Sequence, residues 1–216
     1  MSCKIKVAAI LSLLLQLSIH AQNSQIKKTQ SPIPVETLLG SRSFYYQHVI
    51  SKNLNDNGLN FFNVSSFDAN WSDNQDNHYF ITGFLSQKIW KGLSIGFGGE
   101  IQGPGSFFTT GLQYSFFKKN LLVVVFPSVN LNGVMELSNF ALIEYKPKIS
   151  NKTSIYLRAQ FLATTNFSQI FRSYQQLRAG LQLKNYQFGL AANFDQFNVP
   201  NIYKNNFGVF IRTLLF

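Results

Sequence analysis

Chemistry at an imidazole is the first thing to look for, and the chain offers little of it. Of its three histidines, His20 falls in an amino-terminal leader, so His48 and His78 remain. Nucleophilic hydrolysis needs a serine or its equivalent beside the ring and a carboxylate that orients it. Neither histidine stands in a serine-containing signature. His78 does close the segment SDNQDNH, in which Asp73 and Asp76 offer two carboxylates. They could form the external acidic site of a hydrolase or a weak Ca²⁺ loop. Ca²⁺ takes about six to eight oxygens, however, and two donors in a loop make a poor cage. A solvated loop is the plainer reading. Gly96, Gly98, Gly99, Gly103 and Gly105 lack the following helix and Lys-Ser/Thr ending of a phosphate-binding loop. They suit bending and close packing instead. No catalytic, cofactor-binding or metal-ligating residue is expected.

The charges are better organised than the nucleophiles. In LRAGLQLKNYQFGLAANF (177–194), Leu177, Ala179, Leu181 and Leu183 alternate with Arg178, Gly180, Gln182 and Lys184. After a turn at Asn185, Tyr186, Phe188, Leu190, Ala192 and Phe194 alternate with Gln187, Gly189, Ala191, Asn193 and Asp195. These are two strands of period two, each with an apolar and a polar face.

The same alternation recurs along the chain. Strands are expected at 34–39 (weakly), 42–51, 59–71, 78–89, 93–102, 107–117, 121–132, 137–147, 153–164 and 207–216, besides the hairpin. Pro127 removes a ladder hydrogen bond, so a bulge or local distortion is expected there. The loops at 165–172 and 196–206 read as longer connections.

The chain opens MSCKIKVAAILSLLLQLSIHAQ, with Lys4 and Lys6 before an apolar run from Val7 to Leu17. That run is shorter than the about 20 residues of a spanning helix and suits a secretory signal, residues 1–21, cleaved after Ala21. Cys3, the single cysteine, leaves with it, so disulfides and thiolate metal sites are excluded. Residues 22–33 read as a flexible lead-in and 34–216 as one domain. No later apolar stretch approaches helix-spanning length.

Aromatic residues make up 15% of the chain, with 22 Phe, but charged residues only 13%. A typical soluble domain carries about 25% charged residues. The formal charge of +10 includes Lys4 and Lys6, leaving +8 after processing. The basic residues are dispersed at turns such as Lys91, Lys118, Lys119, Lys148 and Lys152, which argues against nucleic acid.

A leader, repeated two-residue alternation and the closing segment FGVFIRTLLF, ending at Phe216, together resemble bacterial outer-membrane β-barrel proteins. The resemblance is architectural and spans most of the mature chain. It implies an all-β, antiparallel, up-and-down transmembrane barrel, of 12 strands if 34–39 is real and ten otherwise. It also implies a cell outer-membrane location, contact with outer-membrane lipid, periplasmic chaperones during biogenesis, and Phe216 as the signal for the barrel-insertion machinery. Arg212 shares parity with Phe216, which departs from that signal.

Counted back from Phe216, the turns at 185, 148–152, 118–120 and 90–92 fall on the periplasmic side, and 72–77 and 196–206 outside. Trp90, Phe116, Tyr145 and Tyr186 then form an aromatic girdle. Glu100, Glu144, Lys146, Arg158, Arg178, Lys184, Asp195 and Arg212 point into the lumen. They are either a charge network that fills a narrow interior or a lining that selects small solutes. The expected role is structural or porin-like, without enzymatic activity or cofactor. An adhesion or secretion accessory acting through its external loops, with a protein partner there, is the first alternative. A barrel hydrolase is the second.

Overall fold

The computed structural model describes residues 31–102, 105–131, 136–198 and 201–216. The expected signal at 1–21 and most of the lead-in lie outside the described residues.

Alternating runs of β-branched and aromatic residues form twelve strands: β1 (Ile33–Gly40), β2 (Ser43–Asn53), β3 (Leu59–Asn70), β4 (His78–Trp90), β5 (Leu93–Gln102) and β6 (Gly105–Lys118), then β7 (Leu121–Asn130), β8 (Glu136–Tyr145), β9 (Thr153–Thr165), β10 (Ile170–Leu183), β11 (Tyr186–Asn198) and β12 (Asn201–Leu215). Each pairs antiparallel with its sequence neighbours. β1 and β12 then close the ring in register from Ile33–Leu215 to Gly40–Gly208. Closure leaves no unpaired strand edge. The weakly signalled first strand is therefore real, and the barrel has 12 strands rather than ten. No helix of the described residues is long and apolar enough to cross a membrane.

The faces separate as a membrane barrel needs them to. Phe97 is 67% exposed and Phe108 71%, while Glu36 and Arg178 on the inner face are 2% and 3% exposed. A soluble barrel places its apolar face inside. Here large apolar side chains such as Phe97 and Phe108 stand outside, and ion-paired charges such as Glu36 and Arg178 are buried inside.

Both described ends of the chain lie at one rim, called here the near rim. The β1–β2, β3–β4, β9–β10 and β11–β12 connections lie at the opposite, far rim.

One expectation changes and another is sharpened. The long loop placed at 196–206 is mostly strand, since β11 runs to Asn198 and β12 starts at Asn201. The polar residues that suggested a loop (Asn198, Asn201, Lys204, Asn205, Asn206) lie on strands that keep pairing beyond their apolar part. Pro127 interrupts the β6–β7 ladder opposite Leu112 and Gln113, yet the pairs on either side, Gly111–Ser128 and Tyr114–Val125, keep one register. The distortion is local and no bulge results.

Candidate functional site: the lumen

The lumen is built from inward positions of the strands, and its polar side is a set of bonded clusters. Glu36 on β1 accepts from Arg158 Nη1 on β9 at 3.0 Å and from Arg178 Nε on β10 at 2.8 Å. β1 and β9 stand four places apart in the ring, so these bonds cross the interior. Arg158 Nη2 also donates to Gln47 at 2.9 Å and to Gln160. Arg178 Nη1 donates to Asn193 at 2.8 Å.

A second centre forms at Glu144 on β8. It accepts from Arg212 Nη1 on β12 at 2.7 Å and from the Tyr156 hydroxyl at 3.0 Å. Lys146 Nζ lies 2.6 Å from its other oxygen. Burying a carboxylate in a protein interior needs such pairing and hydrogen bonding.

Toward the far rim the charges pair again. Arg172 grips Asp195 with two bonds of 3.0 and 2.6 Å. Arg42 reaches Asp68 at 2.7 Å and Asp76 at 3.0 Å. Lys204 joins Asp76 to His78. Asp76 belongs to a short 3-10 helix (Asn74–Asp76) between β3 and β4, capped by the Asp73 side chain. Burial pushes the Asp76 carboxyl up. Hydrogen bonds from Lys204 and Asn70 and the charges of Lys204 and Arg42 more than offset this, and hold it below its ordinary value of 3.8. These pairs enclose a vestibule of only about 50 Å³, lined by Arg42, Asp68, His78, Arg172, Asp195 and Lys204 among others.

Across the lumen the wall is different. A cavity of about 400 Å³ runs from Pro32 and Leu122 at the near rim to Glu100, Thr109 and Ser138 in the far half. Its lining includes Phe62, Phe80, Phe84, Phe126, Phe140 and Leu142. Gln47, Val64, Phe80 and Tyr174 border both spaces. The cavity and the vestibule therefore meet at a constriction.

Of the inward charges expected from parity, Glu100, Glu144, Arg158 and Arg212 line the cavity. Arg178 is buried against Glu36, Lys146 reaches in from just past β8, and Asp195 lines the vestibule. Lys184 does not join them. It sits in the β10–β11 turn, exposed, with φ of 52°. Parity was carried one residue past the end of β10.

Trp90, Phe116, Tyr145 and Tyr186 are exposed at or near the near-rim ends of β4, β6, β8 and β11. Phe216 lies just beyond β12 and is 74% exposed.

Sequence reasoning missed Glu36, Arg42, Arg172 and Lys204. Glu36 stood in a weak strand, and the others stood at strand ends or in segments read as loops. The available signal was Glu36 itself, a carboxylate flanked by Val35 and Thr37 on the other parity.

The candidate acidic site is engaged otherwise. Asp73 caps the 3-10 helix, and Asp76 is taken by Arg42, Lys204 and Asn70. His48 lies on the outer face of β2, 3.2 Å from the Tyr46 hydroxyl.

No family model and no curated protein sequence matches the chain. Among solved structures it is similar to the KdgM porin in complex with disordered oligogalacturonate, with a TM-score of 0.50 and 12% identity, covering 84% of this chain and 98% of that one. The NanC porin gives a TM-score of 0.47 at 11% identity, covering 86% of this chain and 100% of that one. LpxR from Salmonella typhimurium gives 0.44 at 9%, also covering 86% and 100%. These neighbours are bacterial outer-membrane β-barrel proteins. At such identities the likeness is one of fold.

Proposed function

We propose that the chain is an integral outer-membrane β-barrel, seated with both described ends on the periplasmic side, whose lumen rests closed. Its exposed apolar outer face, with tryptophan and tyrosine at the near-rim ends, suits a lipid setting. The observation that carries the closed reading is the far vestibule. About 50 Å³ holds no more than a few water molecules, and the charged side chains around it are held in ion pairs. A porin-like role is then limited to small solutes, whose passage requires those pairs to part.

The reading assigns no catalysis. His78 Nε2 lies 3.6 Å from Asp76 Oδ1, but Lys204 bonds both groups. The accessory alternative loses the long loop at 196–206, and its seat would be the 71–77 connection.

Planar-bilayer recording of the refolded protein tests the reading. A quiet bilayer is expected for the native chain, and steps are expected for Arg172→Ala with Lys204→Ala. Sustained openings of the native protein would reject the closed lumen. Unboiled protein that migrates no faster than boiled protein would reject the barrel.

A further inference from the structure

An aqueous pore keeps its inner wall polar, and the cavity wall here is not. Phe80 and Phe84 on β4, Phe126 on β7 and Phe140 and Leu142 on β8 turn inward, on strands whose outer side chains Ile81, Leu85, Val125 and Ile143 are also apolar and exposed. Apolar surface held against water is disfavoured by roughly 25 cal/mol per Å². Residues on both faces of these strands thus favour an apolar medium.

The space is built as well as lined. The Phe84 ring packs edge-on against Phe126 with centroids 4.8 Å apart. It lies flat on β5 only because positions 96 and 98 are glycine. A Cβ at Gly98 would come within 2.6 Å of the ring, and one at Gly96 within 2.8 Å. The rings are laid against the wall, which leaves about 400 Å³ open beside them. That volume falls within the roughly 300–1,000 Å³ of small-ligand sites.

Four charged side chains line this space, Glu100 and Glu144 against Arg158 and Arg212. Glu100 stands apart on β5, whereas on the side of β1 and β8–β12 two carboxylates, Glu36 and Glu144, meet four cations: Arg158, Arg178, Arg212 and Lys146. Arg158 lines the cavity, its side chain is only 5% exposed, and its Nε is buried without a hydrogen-bond partner.

We infer that the lumen cavity binds a single-chain amphiphile, its acyl tail along the phenylalanine wall and its carboxylate at Arg158. The inference goes beyond the closed-barrel reading. It requires the barrel but not the seal, because the cavity extends to the near rim at Pro32 and Leu122.

Titration of the protein in lipid nanodiscs with cis-parinaric acid, a fluorescent long-chain fatty acid, tests it. Saturable binding above that of empty discs is expected. Leu142→Trp or Val49→Phe, each filling the cavity, should weaken binding by about tenfold or more, with folding checked by heat-modifiable mobility. The methyl ester of the same acid should bind about tenfold more weakly to the native chain. No saturable binding, or undiminished binding by both folded filled variants, would overturn the site. Equal binding of acid and ester would overturn the carboxylate at Arg158. A conducting native protein that still binds the acid would reject only the closed lumen.

Discussion

Strands β10 and β4 stand half-way round the ring from each other and solve the same problem in opposite ways. β10 turns Arg172, Tyr174, Gln176 and Arg178 inward, and each is bonded to or stacked on a partner. β4 turns Phe80 and Phe84 inward with Thr82 between them, beside open space. On the polar side, order comes from satisfied hydrogen bonds. On the apolar side it comes from ring packing over glycines. A buried ion pair contributes little net stability compared with apolar packing, but breaking one leaves a bare charge. The polar side should therefore tolerate single substitutions worst, and the difference between the sides can be broken from either end.

The largest effect is expected for Glu36→Ala, which strips Arg158 and Arg178 of their shared carboxylate. Its loss should amount to about 3–5 kcal/mol, read as a lowered urea midpoint in the heat-modifiable mobility assay. Phe84→Ala comes next, at about 3 kcal/mol, because the removed ring leaves a void that the wall cannot refill. A smaller loss for Glu36→Ala than for Phe84→Ala would reverse the comparison.

At the far rim, Arg172 and Asp195 retain 21% and 20% side-chain exposure, so solvent screens the pair. Arg172→Ala should lower stability by about 1 kcal/mol or less. Asp76 sharpens the same point through pH. Its carboxyl is held below the ordinary 3.8, so the folded state favours the ionised form. Its contribution is full above that value and fades as pH falls through the lower, folded value. Stability should therefore be insensitive to Asp76 between pH 5 and 7, and Asp76→Asn should flatten only the acid limb of the urea midpoint against pH. The smallest change is Lys184→Gly, which relieves a left-handed backbone in a turn and should shift stability by less than about 1 kcal/mol. A clear change in bilayer conductance from Lys184→Gly would return that residue to the lumen.

The outer surface was legible in the sequence because a strand's two faces alternate with a strict period. Leu177–Phe194 shows this most cleanly. The interior was legible only where inward residues are charged. In LLVVVF at 121–126 both parities are apolar, so the alternation gives no sign that Leu122, Val124 and Phe126 face the cavity. Cross-lumen pairing was not legible at all. Glu36 and Arg158 lie 122 residues apart and meet only because β1 closes on β12. Arg42 and Lys204 sit in polar stretches where strand and loop share a composition, and pairing with neighbouring strands decides between them.

A closed lumen requires that no open water path join the far vestibule to the cavity. Cys3 is the chain's single cysteine, so new thiols at Leu142→Cys and Asn74→Cys can be probed in intact cells with a charged, membrane-impermeant methanethiosulfonate. Position 74 is exposed at the far rim and position 142 lies behind the constriction. Rapid modification at 74 with none at 142 is predicted. Equal rates at the two positions would contradict the account.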